Sequence, residues 1–382
     1  MKTDQLVRTF VDFYLERGHR EIIGTTLIPP PGDPVLFTTS GMHPLTANIE
    51  GRPHPLGRRL VDVQRCLRTT DLDEVGDDTH LTTFEMLGTW SFGDYDGPQS
   101  LRWGYELLVG RLGLDVRRLH ATVHPTDLLA PPIWSELGVP VEHTGENWWS
   151  NGPTGPCGPD SEIFYWSGDG PPTGTPTTDD RWVEIWNHVT MLYRRGEDGA
   201  LTPLEQPSVD TGLGLERLVT ILQGVQSVHH TDTFLPWRHH VPGLWPLDET
   251  DTRVVCDHLR SAIVVIGDGV RPSNTGRGYV LRRLLRRVLT LLWRDKPGRT
   301  LADLPDDLLS HTIDHFRLLI SPPEVRTVLL DEERRFRDLL IRGRQIVSRR
   351  LTRSGPLTDA DFRDLHDTHG LPRDLVETLL NP

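Results

Sequence analysis

The stretch Ser208-Val209-Asp210-Thr211-Gly212-Leu213-Gly214-Leu215-Glu216-Arg217 constrains this chain more than any other. An apolar-flanked run leads into Asp210, and glycines follow at 212 and 214. A helical pattern then begins, with Leu215, Leu218, Val219 and Leu222 on one face. An extended segment that meets glycines and opens a helix lets backbone approach a ligand closely. Asp210 puts a negative charge at that junction, and Arg217 puts a fixed positive charge on the helix behind it. Taken alone, such a junction also fits a capped surface helix.

The rest of the composition bounds the class. A chain of 382 residues with 36% apolar and 25% charged residues suits a globular protein with room for two cores. No run of 18 apolar residues is present, so no membrane span is expected. The start, Met-Lys-Thr-Asp-Gln, has no apolar signal core. Cys66, Cys157 and Cys256 lie far apart, which suits a reducing cytoplasm and predicts neither a disulfide framework nor a metal site. Net charge is −13 but unevenly spread: residues 1–245 hold 18 Lys and Arg against 33 Asp and Glu, and residues 246–382 hold 23 against 21. A nucleic-acid partner should therefore meet the C-terminal part, where the cations are nearly all Arg.

In chain order, residues 4–17 predict an amphipathic helix stopped by Gly18. Residues 61–68 alternate as a strand, and Phe84-Glu85-Met86-Leu87-Gly88 through Ser91-Phe92-Gly93-Asp94-Tyr95 reads as its antiparallel return. Residues 99–115 read as a helix. Gly155-Pro156-Cys157-Gly158-Pro159 reads as a loop of fixed path, followed by a strand from Ser161. Residues 166–181 read as a surface loop, and residues 183–191 as a strand on which Asn187 and Val189 share a face. The Pro- and acid-rich residues 236–252 predict a linker. Beyond it the pattern is helical, with Leu281, Leu284, Leu285, Val288 and Leu292 as a buried stripe flanked by Arg282, Arg283, Arg286 and Arg287.

Three of these strings resemble class II aminoacyl-tRNA synthetases in the form used by alanyl-tRNA synthetases. Residues 208–217 resemble motif 3, residues 61–95 resemble motif 2, and the Pro-Ser-Asn…Arg-Gly-Tyr-Val-Leu-Arg-Arg string at 272–283 resembles the tRNA-recognition region. The resemblance covers roughly residues 4–380. It implies an α+β fold, an antiparallel class II sheet with flanking helices followed by an all-helical domain, with a catalytic domain over 1–240 and a tRNA-recognition domain over 241–382. It implies ATP with Mg²⁺, alanine, and the acceptor stem of tRNA(Ala).

Residue by residue, the resemblance places ATP against Arg68, Phe84, Glu85, Met86, Gly214 and Arg217. It places the amino acid against Met42, Arg68, Trp149, Asn187, Val189, Asp210 and Gly212, and assigns the chemistry to Arg68 and Arg217. Asn274 and Asp367 take the role of the pair that reads a G·U wobble, with Arg277, Arg282 and Arg283 beside them on the RNA. The physical need at Arg68 is clear. Adenylate formation presses a carboxylate against a phosphate, and a guanidinium fork can bridge both anions.

The sequence also departs from the family. Arg68 is followed at once by Thr69-Thr70-Asp71-Leu72, so the usual longer loop with its lysine is shortened, and Thr79 stands where a further Arg is usual. Asp160 stands where the family often has Cys. The family's usual editing and C-terminal domains have no counterpart within these 382 residues, so the expectation is an enzyme of the two halves alone. The sequence leaves three functions open: charging of tRNA(Ala), delivery of an activated aminoacyl group to another acceptor, and a non-catalytic tRNA-binding paralogue. Oligomeric state stays open.

Overall fold

The computed structural model describes residues 1–29, 35–294, 296–369, 371, 373, 376 and 377. The chain divides into two compact units, Met1–Arg238 and His239–Pro382.

The first unit is built on nine strands: β1 (Arg20–Glu21), β2 (Arg59–Leu67), β3 (Thr83–Phe92), β4 (Leu119–Val123), β5 (Val141–His143), β6 (Trp148–Ser150), β7 (Gly155–Trp166), β8 (Trp182–Arg195) and β9 (Leu201–Gly214). They form one sheet in the order β1-β2-β3-β9-β8-β7-β4-β5, with β6 on β7. The interior pairs are antiparallel, and only the edge pairs β1–β2 and β4–β5 are parallel.

Alternation along the strands divides the two faces. Leu87, Leu213 and Trp186 are register partners and face a core that includes Leu6, Phe10 and Tyr14 of α1 (Thr3–Leu15). That core also takes in Leu101 from the helix Gly97–Tyr105, and Leu215, Leu218 and Val219 from the helix Leu215–Gln223. With the short α2 (Thr46–Ile49), these are α3 and α5; α4 is Ala130–Glu136. Each fully buried Leu or Phe here stabilises the fold by about 1.5–3 kcal/mol. The opposite face carries a smaller cluster of Met42, Leu45, Ile49, Leu60, Trp90, Phe92, Val189 and Met191. Met42 and Val189, with Trp149 packed on them, are among the residues that the resemblance assigns to the amino acid.

Four local expectations are corrected. Gly155 to Pro159 is not a loop but the start of β7, and the strand absorbs its two prolines through a register shift against β8 between Cys157 and Asp160. Val35-Leu36-Phe37-Thr38-Thr39-Ser40-Gly41-Met42 resembles a family string in which a strand ends, yet the stretch 22–42 has no strand over its described residues. The helix expected over 99–115 is α3 followed by a wider π turn, Glu106–Arg111. Most of residues 236–252 is helical: α6 (Leu235–Leu244) tolerates Pro242 because Trp237, Val241 and Trp245 are all fully buried. The next helix starts at Glu249, capped by the Asp248 carboxylate on the Asp251 amide at 2.7 Å.

The second unit is helical over its described residues: α7 (Glu249–Gly267), α8 (Gly276–Trp293), α9 (Asp306–His315), α10 (Pro322–Ser354) and α11 (Asp359–His369). Leu281, Leu284, Leu285, Val288 and Leu292 form the buried stripe of α8, as the spacing predicts.

Candidate active site

Register lays the site out in rows. Asp62, Gly88, Gly212, Asn187 and Glu162 are successive partners across β2, β3, β9, β8 and β7. The adjacent row is Leu60, Trp90, Asp210, Val189 and Asp160. Partners in a row point to the same face. β9 runs through both Gly212 and Gly214 before α5 begins, so the glycines lie within the sheet and not in a loop. A Cβ on Gly212 would sit 2.6 Å from Met86 Sδ, and one on Gly88 would sit 2.1 Å from the Trp90 ring. Both positions must be glycine for these two side chains to lie flat over the strands.

A cleft opens at the β3–β9–α5 junction. Arg68, Phe84, Met86, Gly212, Gly214 and Arg217 all line it, with Glu184 and Glu216. Arg68 leaves the end of β2 with its guanidinium 5.1 Å from the Phe84 ring centroid and Nε donating to the Thr39 carbonyl at 3.3 Å. Arg217 is held by Glu184, donating from Nη1 to Oε2 at 2.9 Å and to the backbone carbonyl at 3.1 Å. Glu85 contributes through its backbone, whose N–H donates to the Glu216 carboxylate at 3.1 and 3.2 Å. Met42, Trp149, Asn187, Val189 and Asp210 gather beside this cleft. Met42 and Val189 share one apolar cluster with Trp149 packed on it, and Asn187 and Val189 pair with Gly212 and Asp210.

Burial sets the electrostatics. Asp210 is 7% exposed, and loss of solvent pushes its carboxyl up to about 7, with the Trp90 indole opposing. Asp62 is raised well above the carboxylate range by burial and by the charge of Asp210. Burial lifts Asp160 to about 6 and, with the nearby Glu184 carboxylate, Glu162 to about 8. Burial thus makes the charged form of these acids costly, and a cation placed beside them would offset that cost.

His80 is a cleft residue that the sequence reasoning missed. It lines the cleft beside Thr79, with Nδ1 2.5 Å from Asp77 Oδ2 and Nε2 3.2 Å from Glu74. The Asp77 hydrogen bond raises its pKa. The available signal was a lone His behind the acidic run Asp73-Glu74…Asp77-Asp78.

In the second unit, Asn274 is exposed in the turn before α8, and Arg282 donates to its Oδ1. Arg282 is also paired through Nε with the buried Glu332 of α10 at 3.1 Å, as Arg286 is at 2.9 Å. Arg282 is thus a strut behind Asn274 more than a free phosphate contact. Arg283 is exposed on α8 and Arg277 half-buried at its start. Asp367 lies in α11, and its side chain is outside the described residues.

The family described as "tRNA synthetases class II (A)" matches residues 5–381. The alanine–tRNA ligase of Treponema pallidum is 39% identical over 99% of this chain and 68% of its own length. The chain belongs to the alanine–tRNA ligase family of class II tRNA synthetases. Two further relatives carry the same name. That of Treponema denticola is 43% identical over 75% of this chain, and that of Rubrobacter xylanophilus is 37% identical over the whole of this chain. The chain spans 52% and 47% of those two, so it matches about half of their length.

Proposed function

We propose that the first unit is a catalytic domain that joins alanine to AMP at the expense of ATP, and that the second directs the activated alanine to tRNA(Ala). The observation that carries this is the meeting of Arg68, Phe84, Gly214 and Arg217 in one cleft, directly beside the row that holds Asp210 and Val189.

Adenine stacks on Phe84, with the backbone and side chains of Glu85 and Met86 at its rim and Gly214 clearing its path. Asp210 takes the α-ammonium over Gly212. Asn187, Val189, Met42 and Trp149 enclose the small side chain. The alanine carboxylate oxygen attacks the α-phosphorus, and pyrophosphate leaves with its electron pair. Arg68 bridges carboxylate and α-phosphate, and Arg217 holds the departing phosphates, so both stabilise charge that builds up in the transition state. A terminal ribose hydroxyl of the acceptor then attacks the carbonyl carbon and releases AMP. Among the described residues no group of three or more His, Cys, Asp or Glu side chains could hold a metal ion alone. Mg²⁺ accordingly enters with the ATP phosphates as part of the substrate. A cytoplasmic setting belongs to the same reading: the three cysteines are free and buried, and no helix among the described residues is long and apolar enough to cross a membrane.

His80 stands where the cleft lacks the arginine that Thr79 replaces, and we assign it the phosphate end of ATP. Asp77 stabilises its protonated form, so the charge persists above the usual His range and is lost as pH climbs through the raised value. The KM for ATP should rise with pH over that interval, and His80→Gln should give a KM that is higher and flat with pH. Initial rates at fixed saturating alanine check this; a wild-type KM independent of pH would remove His80 from the phosphate site.

Acceptor recognition is tested by charging a minihelix. Asn274, braced by Arg282, and Asp367 read the G·U pair, and Arg277 and Arg283 hold the backbone. Losing one base-edge contact costs about 1–3 kcal/mol. Replacing G·U by G·C should lower charging by roughly tenfold or more, and Asn274→Ala or Asp367→Ala should erase the difference between the two stems. Equal charging of both stems by the unmodified chain would exclude tRNA(Ala) as its specific acceptor and favour transfer of the aminoacyl group elsewhere.

A further inference from the structure

Arg68 is held at one nitrogen, and the bond that holds it has a support of its own. Among the described residues, the Arg68 guanidinium has one hydrogen-bond acceptor, the Thr39 carbonyl, to which Nε donates at 3.3 Å. Nη1 and Nη2 stay available for two anions, as a fork that bridges carboxylate and phosphate requires. The Arg68 backbone is fixed separately, its N–H donating to the Thr82 carbonyl at 3.1 Å. An arginine rotates about several side-chain bonds, so backbone placement alone does not aim the fork. The Thr39 carbonyl does.

That carbonyl sits in a turn, residues 38–43, whose shape is set by side chains. Leu67 donates its N–H to the Thr38 carbonyl at 2.9 Å, mooring the turn to the end of β2. The Thr39 hydroxyl hydrogen-bonds His43 Nε2 at 2.8 Å, closing the turn from side chain to side chain. His43 is anchored in its turn: its carbonyl accepts from the Thr46 hydroxyl at 3.1 Å, and its N–H donates to the Ser40 carbonyl at 3.4 Å. Beneath, Gly41 donates its N–H to Met86 Sδ at 3.4 Å, and a Cβ on Gly41 would sit 3.0 Å from the Trp90 ring. Thr39 and His43 are both half-buried. The loop after Arg68, Thr69-Thr70-Asp71-Leu72, is short, so the turn takes a larger share in holding the arginine.

We propose that Thr39 and His43 are positioning residues for adenylate formation. Their side-chain bond sets the Thr39 carbonyl, and the carbonyl sets the Arg68 fork. Neither touches substrate; both act through Arg68. A fork displaced by a fraction of its working distance bridges the two anions poorly, and the loss falls on the chemical step. This inference rests on the role given to Arg68 in the proposed function.

The test is alanine-dependent ATP–pyrophosphate exchange by the full chain carrying Thr39→Val, Thr39→Ser or His43→Ala, each alone and together with Arg68→Ala. Thr39→Val keeps the shape of the side chain and removes the hydroxyl; Thr39→Ser keeps the hydroxyl. Thr39→Val and His43→Ala should each lower kcat by about tenfold and leave the KM for ATP within about twofold of wild type. Thr39→Ser should retain most of the rate. In the Arg68→Ala chain none of the three should lower exchange further, because the group they aim is gone. Thermal unfolding of each variant accompanies the rates, and if His43→Ala does not fold, the Val and Ser variants of Thr39 decide the matter alone. Exchange by Thr39→Val within about twofold of wild type, or a loss of equal factor with and without Arg68, overturns the positioning role and leaves adenylation standing. Wild-type exchange that Arg68→Ala does not reduce removes Arg68 from the chemistry and the positioning role with it.

Discussion

Arg217→Ala should lower alanine-dependent ATP–pyrophosphate exchange by about two to three orders of magnitude, and Arg68→Ala should do the same. The size follows from what a preorganised donor to developing charge is worth, about 2.7–4 kcal/mol in a site that excludes water. Each arginine is already oriented: Arg68 between Phe84 and the Thr39 carbonyl, Arg217 between the backbone and side chain of Glu184. Preorganisation also predicts that lysine will not substitute. A lysine is a point charge without the planar fork, and Arg68→Lys should recover only a small part of the rate. The loss should appear mainly in kcat for Arg68, proposed to meet the reacting phosphate, and in both kcat and the KM for ATP for Arg217. Initial-rate exchange across ATP concentrations separates these. Exchange within threefold of wild type for both alanine variants would place the chemistry elsewhere.

Asp210→Asn should abolish amino-acid-dependent exchange and at the same time make the protein more stable. The two effects have one cause. Burial raises the folded pKa of Asp210 to about 7, above its unfolded value of 3.8. The folded state therefore binds the proton more tightly, and stability is lost as pH rises from the unfolded value toward the folded one. At pH 8 the burden is on the order of 3–4 kcal/mol, at 1.36 kcal/mol per tenfold change in proton affinity. An amide of the same shape removes it. A substrate ammonium on Asp210, as proposed, would offset it too. In the wild type, kcat/KM for the amino acid should climb as pH rises through about 7, because only the carboxylate binds the ammonium. Thermal unfolding at pH 5 and pH 8, beside exchange rates over the same range, checks both halves. A variant that is inactive but no more stable at pH 8 would make Asp210 a structural residue.

Much of this was legible in the sequence because local chemistry and global fold agree there. The helix carrying Arg217 could be placed from period alone, since Leu215, Leu218 and Val219 must face a core, but the strand expected to break at the glycines runs on through Gly212 and Gly214. The parity of Asn187 and Val189 followed from strand geometry. What the sequence hid were long-range matters. Gly155 to Pro159 looks like a loop because glycine and proline punctuate chains locally, yet β8 supplies a partner that makes it a strand. Pro242 marks a break, but the burial of Trp237, Val241 and Trp245 overrides it. His80 escaped notice because its importance comes from Asp77, Glu74 and a cleft assembled from β3, β9 and α5. Arg282, which the resemblance sets on the RNA, is paired with Glu332, fifty residues on in sequence and invisible to local pattern.

The account turns on adenylate formation at the β3–β9–α5 cleft. The most direct measurement is incorporation of labelled pyrophosphate into ATP by the wild-type chain, with Mg²⁺, in the presence and absence of alanine and without tRNA. Incorporation that requires alanine and falls in the Asp210→Asn chain is the predicted result. Absence of incorporation with alanine and with every other α-amino acid, by a folded chain that still binds an acceptor stem, would contradict it and make the protein a tRNA-binding paralogue.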